Sequence, residues 1–117
     1  MKNFKTNEFD SPDEIGSGNL MDREFLQILD KARDIAGVPF RITSGYRSES
    51  HNQKVGGVPK SSHRLGMACD IACSDSRSRF KIVSSLMLAG FNRIGIAKNF
   101  IHVDNDRNKS SDVIWTY

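Results

Sequence analysis

The chain holds three histidines, and two of them stand where they could do chemistry. His63 ends the glycine- and serine-rich run VGGVPKSSH (55–63), and Asp70 follows inside the apolar stretch MACDIAC (67–73). His102 stands in NFIHVDND (99–106), close before Asp104. If that segment is a strand, Phe100, His102 and Asp104 share one face. A carboxylate inside an apolar strand is costly to bury unless it is paired or bound to a cation. Two imidazoles and a carboxylate are donors that zinc favours, and a catalytic zinc site uses three protein ligands with a fourth position open. His63 and Asp70 would form the near pair, and His102, 32 residues after Asp70, would close the site from another strand. Gly66 would let the backbone turn tightly between the near pair. Plainer readings compete: a histidine beside a strand is often a satisfied polar residue, and Asp70 can pair with Arg47 or Arg64 or cap a turn.

The elements that must position these residues follow from periodicity. Between Asn19 and Ala36, Met21, Phe25, Ile28, Leu29, Ala32, Ile35 and Ala36 recur at three- and four-residue steps, which predicts an amphipathic helix. Asn19 or Asp22 can cap its start and Gly37 its end, and Pro39 prevents continuation. FRITS (40–44) predicts a strand, 48–55 a short helix capped by Ser48, and VGGVPKSS (55–62) a loop. MACDIAC predicts a buried strand. Residues 76–89 predict a second amphipathic helix, with Phe80, Val83, Leu86 and Met87 inward. Two strands over 92–97 and 99–104 and an edge strand over 113–117 follow. Residues 1–18 read as an irregular arm that Phe4, Phe9 and Ile15 pin to the core. The order predicts an α+β fold, a small, largely antiparallel sheet flanked by two main helices. The 117 residues suit one domain spanning 1–117, long enough to bury a core.

The net charge of +3 is mild and scattered. It argues against a nucleic-acid partner, which needs a clustered basic stripe, and fits weak attraction to an anionic polymer. No apolar run approaches the roughly 18 residues of a membrane span, so no membrane insertion is expected. MKNFKTNEFDSPDE has no apolar core of a signal peptide, so synthesis in the cytoplasm is expected. Cys69 and Cys73 would lie about 13 Å apart on one strand face, beyond disulfide reach, and read as small buried hydrophobes. Nothing suggests an obligate interface, so a monomer is expected.

SSHRLGMACD (61–70) resembles the S-x-H-x-x-G-x-A-x-D signature of zinc peptidases of the D-Ala-D-Ala carboxypeptidase type, peptidase family M15, through Ser61, His63, Gly66, Ala68 and Asp70. Upstream, ITSGYRSESHNQKVGG (42–57) resembles that group's S-G-Y-R-S…N…V-G-G segment. Downstream, IGIAKNFIHVD (94–104) resembles its glycine-rich strand ending in H-V-D. The resemblance covers at least residues 19–105. It implies a fold shared with the Hedgehog signalling domain and His63, Asp70 and His102 as Zn2+ ligands. It implies Arg47 as the cation facing the substrate carbonyl. Ser61 would donate to substrate or orient its loop, and Asn52 and Gln53 would help shape the pocket.

Some members carry a glutamate three residues before the last histidine. Here that position is Asn99, which cannot take a proton, and no glutamate follows Glu49. Asp104 is then the candidate general base, or else a carboxylate that orients a histidine ligand. His51 is expected to face solvent on the short helix. The implied substrates are peptidoglycan stem peptides containing D-amino acids. The implied reactions are D,D-carboxypeptidase, D,D-endopeptidase or L-alanyl-D-glutamate endopeptidase cleavage. A phage or prophage lytic enzyme is expected, acting on the cell wall after release or as a virion component. The main alternative is a zinc-binding recognition module with a Hedgehog-like site and no turnover. A metal-free structural protein is a further one.

Overall fold

Asp22 starts the first helix. In the computed structural model, which describes residues 1–117, its carboxylate accepts the Phe25 N–H at 2.9 Å. That satisfies one of the donors a helix N-terminus leaves free. Helix α1 then runs Arg23–Ala36 and ends at Gly37, whose φ of +68° is the left-handed conformation glycine adopts at little cost. Asn19 lies instead in a 3₁₀ turn, Ser17–Leu20, so the helix starts later than the apolar spacing predicted. The remaining elements are β1 (Ile42–Ser44), α2 (Glu49–Lys54), β2 (Ala68–Ala72), α3 (Ser76–Ala89), β3 (Arg93–Ile96), β4 (Phe100–Asp104) and β5 (Val113–Thr116).

The strands form one sheet in the order β1-β2-β4-β3-β5. The pairings β1–β2, β2–β4 and β4–β3 are antiparallel, but β5 joins β3 in parallel, so the sheet is mixed. The cause is the connection 105–112, which passes the start of β3 and lays β5 along its outer side. Alternation along the strands sorts the two faces. Cys69, Ile71, Ile94, Ile101 and Val103 join Phe25, Leu29, Ile82 and Leu86 of the helices in one core cluster. Burying each large side chain of this kind contributes about 1.5–3 kcal/mol. Both cysteines are free and buried, as their spacing led us to expect.

Helix α3 occupies its predicted span, and Leu86 is buried and Val83 packs on the core as predicted, but the buried face is turned from the predicted one. Ile82, Ser85 and Leu86 point inward, whereas Phe80 and Met87 are 74% and 53% exposed. Apolar residues spread around this helix well beyond one stripe, so spacing alone does not choose the face. Ser85 can sit in the core because its hydroxyl donates to the Ile82 carbonyl at 2.8 Å. The N-terminal arm is more ordered than irregular: it forms two 3₁₀ turns, Thr6–Phe9 and Ser17–Leu20. Phe4 and Phe9 are buried as expected, but Ile15 is 99% exposed. The Asp10 carboxylate accepts the N–H groups of Gly16 and Gly18, which tightens the turn and throws Ile15 outward at its tip.

Candidate metal centre

The sheet face opposite α1 and α3 carries one polar row. Strand register places Ser44 beside Asp70, Asp70 beside His102, His102 beside Gly95, and Gly95 beside Trp115. His63 reaches this row from the loop between α2 and β2. Gly66 makes that approach possible twice over. Its φ is +70°, and a Cβ there would meet the Leu20 carbonyl oxygen at 2.5 Å. Donor atoms of His63, Asp70 and His102 all lie within 4.8 Å of one another, and all three residues are buried.

The hydrogen-bond partners fix which ring nitrogens carry protons. The Gly45 carbonyl can only accept, so the His63 Nδ1–H donates to it at 2.8 Å and Nε2 presents a lone pair. The Asp104 carboxylate receives the His102 Nε2–H at 2.7 Å, so His102 Nδ1 presents a lone pair. Both lone pairs face Asp70 Oδ1, at 3.4 Å from His63 and 3.0 Å from His102. Three electron-rich atoms converge, and they repel unless a proton or a cation lies among them. Titration follows the same logic. Burial pulls His102 down, but Asp104 and Asp70 outweigh it and hold the imidazole above its ordinary pKa. Burial pushes Asp70 up, yet bonds and charges from His102 and His63 hold it well below the usual carboxylate range. This nitrogen, nitrogen and oxygen set is one that a divalent metal ion fits.

Arg47 completes the electrostatics. Its Nη2 lies 3.7 Å from Asp70 Oδ2. Its Nε donates to Ser44 Oγ at 3.2 Å, and its Nη1 to Asn52 Oδ1 at 3.4 Å. Arg47, not Arg64, is therefore the arginine beside Asp70. Asn52 is buried and also donates to the Val58 carbonyl at 2.8 Å, so it ties Arg47 to the loop. Ser61 is buried, and its hydroxyl accepts the His63 N–H at 3.2 Å. Gln53 is exposed on α2 and has no hydrogen bond to the group, and His51 is half-buried there, away from it. Asn99 is exposed and lines a different cavity, with Arg41 and Asp75.

Asp104 is not a free carboxylate. Its Oδ2 accepts from His102, while its Oδ1 accepts Arg93 Nε at 2.6 Å and the Asp106 N–H at 3.1 Å. It holds the edge of the His102 ring that faces away from Asp70. That placement weighs against the general-base expectation and for the orienting one. Burial raises its pKa, but the bonds from His102 and Arg93 prevail and keep it below the ordinary value.

Other contributing residues were not singled out from sequence. Arg93 shares the site face of β3, a parity visible only once the pairing is known. Ser62 donates to Asp106 Oδ2 at 2.7 Å and accepts from Lys109 at 2.9 Å, which stitches the His63 loop to the segment after β4. Gly45 acts through its carbonyl, which leaves no trace in residue type.

Comparison with known families bears directly on this geometry. No curated protein matches the chain at a meaningful level. A family model described as Peptidase M15 matches residues 2–104, a span that holds all three donors and Arg47. A match over most of the chain, ending on the carboxylate that steadies His102, settles the assignment: the chain belongs to the peptidase M15 family, a family of metallopeptidases.

Proposed function

We propose that this chain is a zinc peptidase that cleaves peptidoglycan stem peptides. The observation that carries the reading is the convergence of two imidazole lone pairs on the Asp70 carboxylate, with the Arg47 guanidinium alongside. When bound, zinc supplies a Lewis acid that polarises a carbonyl and makes water acidic near neutral pH. His63, Asp70 and His102 would hold it, and their outer partners Gly45 and Asp104 keep both rings in the ligating tautomer. Arg47, braced by Ser44 and Asn52, is placed to hold the negative charge that develops on the substrate carbonyl oxygen. Ser61 fixes the loop that delivers His63. Asp104 serves as a positioning residue in this scheme.

The mixed sheet with its two main helices on one face supports a Hedgehog-like fold. The charge of +3 suits an anionic wall. We place the protein, as a monomer, in a phage or prophage lytic setting, acting on the wall after release or from a virion. Its bond is a D-Ala-D-Ala type linkage or the L-alanyl-D-glutamate linkage. A second reading, a zinc-binding recognition module without turnover, is favoured by two observations: both Asp104 oxygens are engaged, and Asn99 replaces the glutamate of some members.

The test combines metal content with release of new amino termini from bare peptidoglycan, wild type beside His63→Ala. One zinc per chain and cleavage by wild type alone supports the peptidase. Zinc without cleavage of any wall preparation supports the recognition module. Absence of zinc from chain purified and reloaded in zinc refutes both.

A further inference from the structure

The polar row does not stop at His102. Strand β5 lies two strand spacings from β4, about 9.5 Å at ordinary sheet dimensions. Yet the Trp115 ring centroid is 5.5 Å from that of His102. Gly95 explains the reach. It sits between them in register, and a Cβ there would meet Trp115 Nε1 at 2.6 Å and Tyr117 Cε2 at 2.9 Å. Both rings therefore lie folded over the bare backbone of Gly95 toward the metal group. The Arg93 guanidinium also packs over Trp115, 5.1 Å from its ring centroid. That same guanidinium bonds Asp104, so the indole is locked to the residues that orient His102. Tyr117 packs at 5.3 Å on Phe100, the residue that shares the His102 face of β4, and still leaves 70% of itself exposed. Partial burial of its hydroxyl raises its pKa and a bond with Trp115 lowers it, and the charges that act on it belong to the site: Asp70 and Asp104 raise it, Arg47 lowers it.

The metal group thus has two unlike flanks. On the β1 side stands the Arg47 cation, and on the β5 side an aromatic wall. We propose that Trp115 and Tyr117 are the substrate-positioning wall of this site: the peptide lies across the sheet row, its scissile carbonyl toward Arg47 and the adjoining residue packed on the two rings. The row from β2 to β5 spans three strand spacings, about 14 Å, the length of about four extended peptide residues. A flat ring matches a peptide plane or an aliphatic side chain, and the Tyr117 hydroxyl can donate to a peptide carbonyl or carboxylate. Both residues lie beyond residue 104, where the family match ends. The proposal rests on the peptidase reading for its substrate.

The experiment uses the zinc-loaded chain and a soluble stem pentapeptide that contains both the L-Ala-D-Glu and the D-Ala-D-Ala bond. Tyr117→Ala and Tyr117→Phe are compared with wild type for KM, kcat and zinc content. Trp115 is the sole tryptophan, so its emission after rapid mixing with peptide reports directly on the wall. The expected result is a KM raised about three- to tenfold in Tyr117→Ala, the worth of one aromatic contact. Tyr117→Phe should recover the packing part of that loss. The turnover number and zinc content should hold, and wild-type emission should shift with saturating dependence on peptide. An unchanged KM in Tyr117→Ala overturns the proposal. Loss of zinc in that variant also overturns it, because the ring would then support the metal group rather than the peptide. If wild type cuts no peptide, the peptidase reading fails and the emission alone decides. A saturating shift then keeps the wall as a peptide-binding surface, and no shift removes it.

Discussion

Asparagine at position 104 separates the two roles open to Asp104. The carboxylate makes three acceptor bonds: to His102 Nε2 at 2.7 Å, to Arg93 Nε at 2.6 Å and to the Asp106 N–H at 3.1 Å. An amide offers an acceptor on one side only. If its oxygen faces Arg93, its NH2 faces His102, and the imidazole proton must move to Nδ1. That nitrogen points at Asp70, so one metal donor is lost. If its oxygen faces His102, its NH2 opposes the Arg93 and Asp106 donors at a position only 1% exposed. Breaking that buried ion pair costs about 3 kcal/mol, against a total stability of about 5–15 kcal/mol for a domain. Loss of such an outer partner lowers metal affinity about 10–100-fold. The assay is competition for zinc with a chromophoric chelator, joined to thermal unfolding of the metal-free chain. Weaker zinc binding and a lower Tm are expected together. If Asp104→Asn binds zinc as tightly as wild type and melts with it, while kcat falls by about 100-fold or more, the positioning argument is refuted and Asp104 is the base.

Arg47→Ala should lower kcat about 10²–10³-fold with zinc content retained, since an oxyanion donor is lost and no ligand is; peptide kinetics with metal analysis checks this. Gly45→Ala should destabilise by about 2 kcal/mol or more and weaken zinc binding, because its Cβ would meet the Phe9 Cα at 2.6 Å and displace the carbonyl that holds His63; urea unfolding and zinc competition read both effects. Chelation should remove about 4 kcal/mol of stability relative to free zinc at roughly a thousand times its Kd, seen as a fall in Tm. In the metal-free chain the raised pKa of His102 contributes stability that is complete below its unfolded pKa of about 6.5 and is lost as pH rises through its higher folded value. The lowered pKa values of Asp70 and Asp104 contribute stability present above about pH 4 and lost as pH falls through their folded values. Zinc displaces the His102 proton, so the Tm gap between zinc-loaded and metal-free chains should widen from about pH 6 to pH 8.

Two of the three donors were readable because they are close in the chain: His63, Gly66 and Asp70 lie within one short segment, and Asp70 is a carboxylate among apolar neighbours; His102 stood out as the histidine of a strand that also carries Asp104. Helix α1 was readable because its apolar residues form one stripe, apart from Ile35 in the last turn, which is exposed. The face of α3 was not, since Phe80 and Leu88 widen the apolar arc of Ile82, Val83, Leu86 and Met87 well beyond one stripe, and the choice is made by what α1 presents. The direction of β5 depends on where the 105–112 connection passes, which no residue pattern states. The partners of Arg93, Gly45 and Trp115 belong to pairing and register rather than to side-chain type. Asp104 shows the limit most clearly. Its place beside His102 was evident, but the edge of the ring it grips was not.

The N-terminal arm reaches further into the site than its position suggests. The Tyr46 N–H donates to the Phe9 carbonyl at 2.8 Å, the Ser48 N–H to Ser11 Oγ at 3.2 Å, and the Ser48 hydroxyl to Asp13 at 2.7 Å. These contacts bracket Arg47 on both sides. A molecule whose arm has peeled away keeps Asp70 and His102 in the sheet ladder but loses the splint on the backbone either side of Arg47. Such partial opening has its own free energy, smaller than that of global unfolding. Because Phe4 and Phe9 of the arm sit in the main core, the backbone that carries Arg47 shares its packing with the amino-terminal segment, and trimming that segment is expected to disturb the arginine before the sheet ladder.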